Sequence, residues 1–209
     1  WTREATLATP SGAAAIERFW DEQGQGTTFS GRGGLQLALR EFLQPDLTAE
    51  KGAIVIASGR TESMLKYKEL VFDLYRAGWS VYIHDHRGQG LSERERAVAR
   101  TPQRGHVERF SDYVDDLRRV ITTFVPVGRH RNVFLLAHSM GGAIAARLLE
   151  GGGPELQRLQ AAALSSPMLE IRGVVGLPAD LVSCGIARDL VKQGKATRYV
   201  ALGKDWQDV

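Results

Sequence analysis

The pattern of hydrophobic and polar positions changes character at residue 53. Before it, residues 1–26 carry little periodicity. Phe19 and Trp20 form an apolar pair expected to pack at a sheet edge, and residues 21–26 read as a turn or loop. Thr27-Thr28-Phe29 and Leu35-Gln36-Leu37-Ala38-Leu39-Arg40 then alternate on either side of Gly31-Arg32-Gly33-Gly34, which predicts an antiparallel hairpin. Neither this glycine cluster nor the Gly24/Gly26 pair lies between a strand and a helix of a crossover unit, so neither reads as a phosphate loop.

From residue 53 the chain alternates strand with helix. Ala53-Ile54-Val55-Ile56-Ala57 is a continuous apolar run, the mark of a strand covered on both faces. Met64, Tyr67, Leu70, Val71 and Leu74 follow at helical spacing and end at Gly78. Residues 79–83 form the next strand. Val107, Phe110, Val114, Leu117, Ile121 and Phe124 mark one face of a long helix that Pro126 stops. Strand 133–136, helix 140–149 and strand 161–164 complete the series. Successive units of this kind imply right-handed crossovers and a mostly parallel, doubly wound α/β sheet behind the hairpin.

Composition narrows the class without choosing a function. A chain of 209 residues with 24% charged and 43% hydrophobic residues is expected to be globular, one domain or one domain with an insertion. No run of eighteen apolar residues predicts a membrane span, and no signal peptide is evident. The first residue is Trp1, which suggests that the natural N-terminus lies upstream. The single cysteine, Cys184, fits a reducing compartment. A net charge of +3, with basic and acidic residues intermingled, argues against a nucleic-acid partner.

The candidate chemistry centres on Leu136-Ala137-His138-Ser139-Met140-Gly141-Gly142. A strand that turns into a helix at a serine is a nucleophile elbow, G-x-S-x-G with Ala137 in the first small position. The competing reading is a serine that merely caps a buried helix. An elbow serine sits in a strained backbone worth about 1–3 kcal/mol. In a parallel sheet the functional loops lie beyond the carboxyl ends of the strands, which selects residues 58–63, residues 85–92 and the elbow. The backbone N–H of Met140, at the start of the elbow helix, and that of Arg60 stand where two oxyanion donors belong. A plain polar turn is the alternative for residues 58–63. His84 and His86 have metal-like spacing with no third ligand in register, so hydrogen bonding within the loop is the preferred reading. No metal and no cofactor is expected. Glu62 and Arg87 are expected to pair between the first two loops.

Four blocks together resemble a known group: residues 59–70, residues 85–92, residues 105–117 and residues 136–144. They are similar to the bacterial lysophospholipases of the monoacylglycerol-lipase-like branch of the alpha/beta hydrolases, over residues 53–170. The resemblance implies that Ser139 is the nucleophile of a serine hydrolase. Its substrate would be a lysophospholipid or another acyl-glycerol, and it would work in the cytoplasm at the inner membrane. Such an enzyme needs an acid and then a histidine after the serine. The histidines are His84, His86, His106, His130 and His138, all before Ser139. His138 adjoins Ser139 but points away from it, and His84 and His86 lie on the wrong side of the known order. The expectation is therefore an enzyme truncated before its triad Asp and His, with the C-terminal strands missing. Residues 1–170 would be core and residues 171–209 the start of a lid. Leu181, Val182, Ile186, Leu190 and Val191 give that segment an apolar stripe, either a membrane-facing cap or a surface helix covering the core. Asp180, Asp189, Asp205 and Asp208 would then be lid residues rather than triad acids. Two other classes remain open: a catalytically dead binding module, and another acyl-chemistry enzyme such as a monoacylglycerol lipase, an esterase or an acyltransferase.

Overall fold

The computed structural model describes residues 1–7, 9–101, 103–169, 185, 188–195 and 197. Six strands form one sheet: β1 (Gln25–Ser30), β2 (Gln36–Phe42), β3 (Gly52–Ala57), β4 (Trp79–His84), β5 (Val133–His138) and β6 (Leu159–Ser165), in the spatial order β1-β2-β4-β3-β5-β6. The hairpin forms as the alternation predicts, with Phe29 opposite Leu37. β2 is antiparallel to β4, and β4, β3, β5 and β6 run parallel. The crossover helices are α3 (Lys68–Arg76), α4 (Phe110–Arg119) and α5 (Met140–Gly151). Among the described residues β6 is an edge strand, paired only with β5.

Alternation along the central strands sorts the core into two layers. Val55, Ala57, Leu135 and Ala137 face Leu117, Ile144 and Leu148 of α4 and α5. Ile54, Ile56, Val81 and Ile83 face Val71 and Leu74 of α3. Both faces of β3 are buried along its whole length, which explains its unbroken apolar sequence.

Two expectations need correction. The segment before the hairpin is not irregular: after the short α1 (Glu4–Leu7), α2 spans Pro10–Gln23, with the Thr9 hydroxyl accepting from the Gly12 N–H and Pro10 in the first turn. It buries Ile16, Phe19 and Trp20, and Phe19 stacks on Phe42 at 5.2 Å. The second correction concerns α4, which begins at Phe110 and continues through a π-helical turn, Val120–Phe124. Its buried face carries Asp112, Tyr113, Asp116 and Leu117, while Phe110 is 39% exposed. The polar residues turn inward because a buried arginine waits for them.

Most of residues 171–209 lies outside the described residues, including Leu181, Val182, Cys184 and Ile186 of the expected lid and Asp180, Asp205 and Asp208. Of its stripe, Val191 is exposed, and Asp189 accepts a hydrogen bond from the Gln193 amide. Among the described residues no helix is long and apolar enough to cross a membrane.

Candidate active site

The sharpest backbone feature lies where β5 becomes α5. Ser139 occupies φ 51°, ψ −116°, a region that favours glycine, and its side chain makes no capping hydrogen bond. The serine is therefore not there as an ordinary helix cap. Its backbone is locked instead: Ser139 N–H donates to the Ser165 carbonyl at 3.0 Å, and its own carbonyl accepts from Met168 N–H at 2.9 Å. Strain of this kind persists only where the surroundings over-determine it.

Close packing brings the loop after β3 alongside the elbow. A β-carbon on Gly141 would lie 2.5 Å from the Ser58 carbonyl oxygen and nearer still to that of Ala57, so only glycine fits. One on Gly59 would come within 3.2 Å of the His138 ring. Residues 57–59 thus run beside residues 138–141, and Arg60 follows directly. The N–H groups of Met140 and Arg60 have no partner among the described residues. Met140 N–H carries the positive end of the α5 dipole.

The loop of residues 85–92 is the scaffold of this arrangement, and each of its conspicuous residues has a separate task. Asp85, fully buried, accepts from Met64 N–H at 2.6 Å and Leu91 N–H at 2.7 Å. Burial pushes its carboxyl up, against the pull of those hydrogen bonds. Gly90 lies at φ 49° directly against that carboxylate, where a β-carbon would clash. The Ser92 hydroxyl donates to the Asp85 carbonyl at 2.6 Å and accepts from Ala38 N–H on β2.

Gln89 clamps the β3 loop. Its amide nitrogen donates to the Gly59 and Glu62 carbonyls at 3.0 and 3.1 Å, and its oxygen accepts from Thr61 N–H at 2.8 Å. His86 adds a contact to the Ser58 carbonyl at 3.1 Å. Sequence reasoning missed Gln89, because an amide carries no catalytic signature; its position in the loop facing Arg60 was the available signal.

Glu62 and Arg87 do not pair, contrary to expectation. Glu62 accepts from Gly59 N–H at 2.7 Å, Tyr67 hydroxyl at 2.6 Å and Lys66 at 2.5 Å. Burial alone would raise its carboxyl, but these donors outweigh it and hold the group at about 2. Arg87, 1% exposed, reaches the opposite way, to Asp116 through Nε at 2.7 Å and Nη2 at 2.9 Å, and to Glu95 at 2.8 Å. Asp112 lies 3.6 Å from it. The guanidinium is taken instead by Glu95, eight residues on, and by Asp112 and Asp116 on one face of α4.

His84 and His86 share a sheet face as their spacing predicts, with ring centroids 4.7 Å apart. His84 has no hydrogen bond on either nitrogen, so loop hydrogen bonding describes His86 but not His84. Burial holds His86 down to about 4 and His84 well below the usual imidazole range. Neither hydrogen-bonds Ser139. His138 faces the α3 side with Leu136, lining a cleft of about 540 Å³ together with Glu62, Tyr67, Leu70 and Ser165. Among the described residues no side chain hydrogen-bonds the Ser139 hydroxyl, and no group of acids, histidines and cysteines could hold a metal ion. The strained serine therefore stands next to the unpaired Met140 N–H, and the loop that leads into Arg60 packs alongside it.

Comparison with known proteins agrees with this geometry. The family Hydrolase_4, described as serine aminopeptidase, S33, matches residues 48–200. A probable lysophospholipase L2 of Haemophilus influenzae is 38% identical over 142 residues, which cover 68% of this chain and 42% of that protein. Lysophospholipase L2 of Escherichia coli K12 is 46% identical over 126 residues, 60% of this chain and 35% of that one. The monoglyceride lipase of Rattus norvegicus is 39% identical over 95 residues, 46% of this chain and 29% of that one. The chain thus spans less than half the length of these curated relatives. Among solved structures, the complex of DcsB with its substrate analogue superposes with a TM-score of 0.60 at 16% identity, covering 84% of this chain and 55% of that one. An esterase from Exiguobacterium antarcticum gives 0.57 at 19%, covering 81% and 57%. At such identities these two share the fold alone, the alpha/beta-hydrolase fold.

Proposed function

Since the chain belongs to the serine aminopeptidase S33 family, Hydrolase_4, we propose that it is the core of a serine hydrolase that cleaves the acyl ester of lysophospholipids. The observation that carries this reading is the strained Ser139 at the strand–helix junction, with the Arg60 loop packed beside it. The lysophospholipase L2 relatives supply the substrate class. Ser139 Oγ attacks the ester carbonyl, the N–H groups of Met140 and Arg60 bind the oxyanion, and the glycerol oxygen leaves to give an acyl-serine that water then hydrolyses. A histidine must take the serine proton and return it to the leaving oxygen, and an acid must orient that histidine. No histidine follows Ser139 within the 209 residues, so this chain alone turns over little substrate. Residues 1–170 act as core and residues 171–209 as the start of a lid, which contacts the membrane surface where the substrate resides.

The rat monoglyceride lipase relative favours a second reading, an uncharged acyl-glycerol as substrate. Protein expressed from its complete reading frame, assayed on lysophosphatidylethanolamine, monoacylglycerol and short p-nitrophenyl esters, decides between them. Preference for the lysophospholipid is the expected result. Preference for monoacylglycerol selects the second reading, and preference for short esters removes both.

A further inference from the structure

The loop that carries Arg60 also borders a second cleft of about 210 Å³, lined by Arg60, Thr61, Gln89, Arg94, Gly105 and Tyr113 among others. The Arg60 guanidinium folds across it over Gly105, where a β-carbon would sit 3.2 Å from Nη2. The missing side chain at Gly105 is what makes room for it. Arg60 forms no ion pair among the described residues, and it is exposed. Arg94 stands on the same wall, its Nη1 fixed by the Gly90 and Ser92 carbonyls at 2.8 and 2.6 Å. The one carboxylate in the lining, Glu62, is already held by Gly59, Lys66 and Tyr67. The Arg60 guanidinium therefore meets a polar cleft whose one lining acid is engaged elsewhere, while Arg94, within electrostatic reach of Asp85, adds positive charge to the wall, a setting for an anion that accepts bidentate hydrogen bonds.

We propose that this cleft is the head-group subsite, with the Arg60 guanidinium and Arg94 gripping the phosphate of the substrate. The inference rests on the reading of Arg60 N–H as an oxyanion donor. Arg60 then acts twice, its N–H at the ester carbonyl and its side chain at the phosphate. Covalent geometry allows this. From an arginine N to its Cζ there are as many bonds as from the carbonyl carbon of a 1-acyl-glycerol-3-phosphate to its phosphorus, and each path spans up to about 7 Å. A lysophospholipid laid along Arg60 thus brings its ester to the backbone and its phosphate to the guanidinium. An acyl-glycerol without phosphate gains nothing from the cleft, so the subsite sets the preference between the two substrate classes.

The test needs no turnover. The 209-residue chain is titrated with sn-glycerol 3-phosphate, glycerol and inorganic phosphate, with backbone amide shifts in residues 59–63 and 103–105 as the readout. Expected is saturable millimolar binding of glycerol 3-phosphate, weaker binding of inorganic phosphate and none of glycerol. Arg60→Met should weaken it at least tenfold, and Arg60→Lys should restore part of it. Arg94→Met gives an independent second variant, with each variant checked for unchanged melting. Glycerol binding as well as glycerol 3-phosphate, or an unaffected Arg60→Met, overturns the subsite. Equal affinity for inorganic phosphate makes it a free-phosphate site and overturns the head-group assignment. In the protein from the complete reading frame, Arg94→Met, which leaves the oxyanion donors untouched, should lower the ratio of lysophosphatidylethanolamine to monoacylglycerol hydrolysis at least tenfold. Equal loss on both substrates overturns the subsite and leaves the hydrolase reading standing. Retained glycerol 3-phosphate binding by a protein whose Ser139 is inert does the reverse.

Discussion

Replacing Ser139 with glycine should make the protein more stable while removing the proposed nucleophile. Ser139 holds φ 51° and ψ −116° with a β-carbon present, and its hydroxyl contributes no helix cap. A non-glycine residue in such a region stores about 1–3 kcal/mol, and glycine relieves it at a cost of about 0.5–1 kcal/mol in backbone entropy. The net gain is about 1 kcal/mol, or roughly 2–4 °C in melting temperature for a domain of this size. Ser139→Ala is the control, since it loses the same hydroxyl but keeps the β-carbon. Thermal unfolding followed by circular dichroism, with both variants at equal concentration, should place Ser139→Gly above Ser139→Ala by that margin. Equal melting, or glycine below alanine, would refute the claim that the backbone at this serine is strained. The hydroxyl would then have to explain any difference from the parent.

Three further outcomes follow from the supporting network. Arg87→Met strips the cation from Asp116, Asp112 and Glu95, all at most 10% exposed in their side chains, and should cost about 3–5 kcal/mol in urea unfolding; a loss under about 1 kcal/mol would mean the cluster is not held by its arginine. Gln89→Leu removes the three bonds to residues 59–62, so amide exchange at Gly59 and Thr61, whose N–H groups are hydrogen-bonded in this loop, should quicken by about tenfold or more, matching about 1–3 kcal/mol of local opening. Unchanged exchange there would show that the clamp does not hold the loop. Acid should act in two windows. His86, held at about 4 against an ordinary 6.5, and His84 are neutral in the folded protein, whereas the unfolded chain takes up protons below 6.5; their stabilising effect is whole above that pH and lost as pH falls toward 4. Glu62, depressed from 4.5 to about 2, adds stability that is whole above pH 4.5 and lost toward 2. His86→Phe should shrink only the upper window, leaving the share of His84, and Glu62→Gln should flatten only the lower, in melting temperature measured against pH.

What could be read from sequence was governed by how local the physics is. The hairpin, the buried strands and the elbow rest on period and on small residues at a tight junction, and all appear where they were expected. Helix α2 carries its own signal, Ile16, Phe19 and Trp20 at helical spacing behind a Thr9-Pro10 start, but one such cluster among glycine, alanine and charge is easily passed over. The inward face of α4 was illegible for a different reason. Asp112 and Asp116 are buried because Arg87 is, and nothing within residues 110–119 announces that partner. Glu62 was paired wrongly because adjacency of the two loops does not fix which way a side chain turns: Glu62 is held by Gly59, Lys66 and Tyr67, and Arg87 turns to Glu95 and Asp116. The general function of the loop at residues 85–92 was visible as an odd cluster of glycines and charges, while the division of labour among Asp85, Arg87 and Gln89 needed coordinates.

The proposed function makes Ser139 the nucleophile, with the N–H groups of Met140 and Arg60 as oxyanion donors and no histidine after it in the 209 residues to act as base. A fluorophosphonate probe with the 209-residue chain, followed by intact mass and peptide mapping, tests this most directly. The predicted result is slow, substoichiometric modification confined to the peptide that carries Ser139 and abolished in Ser139→Ala. Rapid stoichiometric labelling of Ser139 would contradict the missing base, and labelling that falls on another residue would contradict the nucleophile.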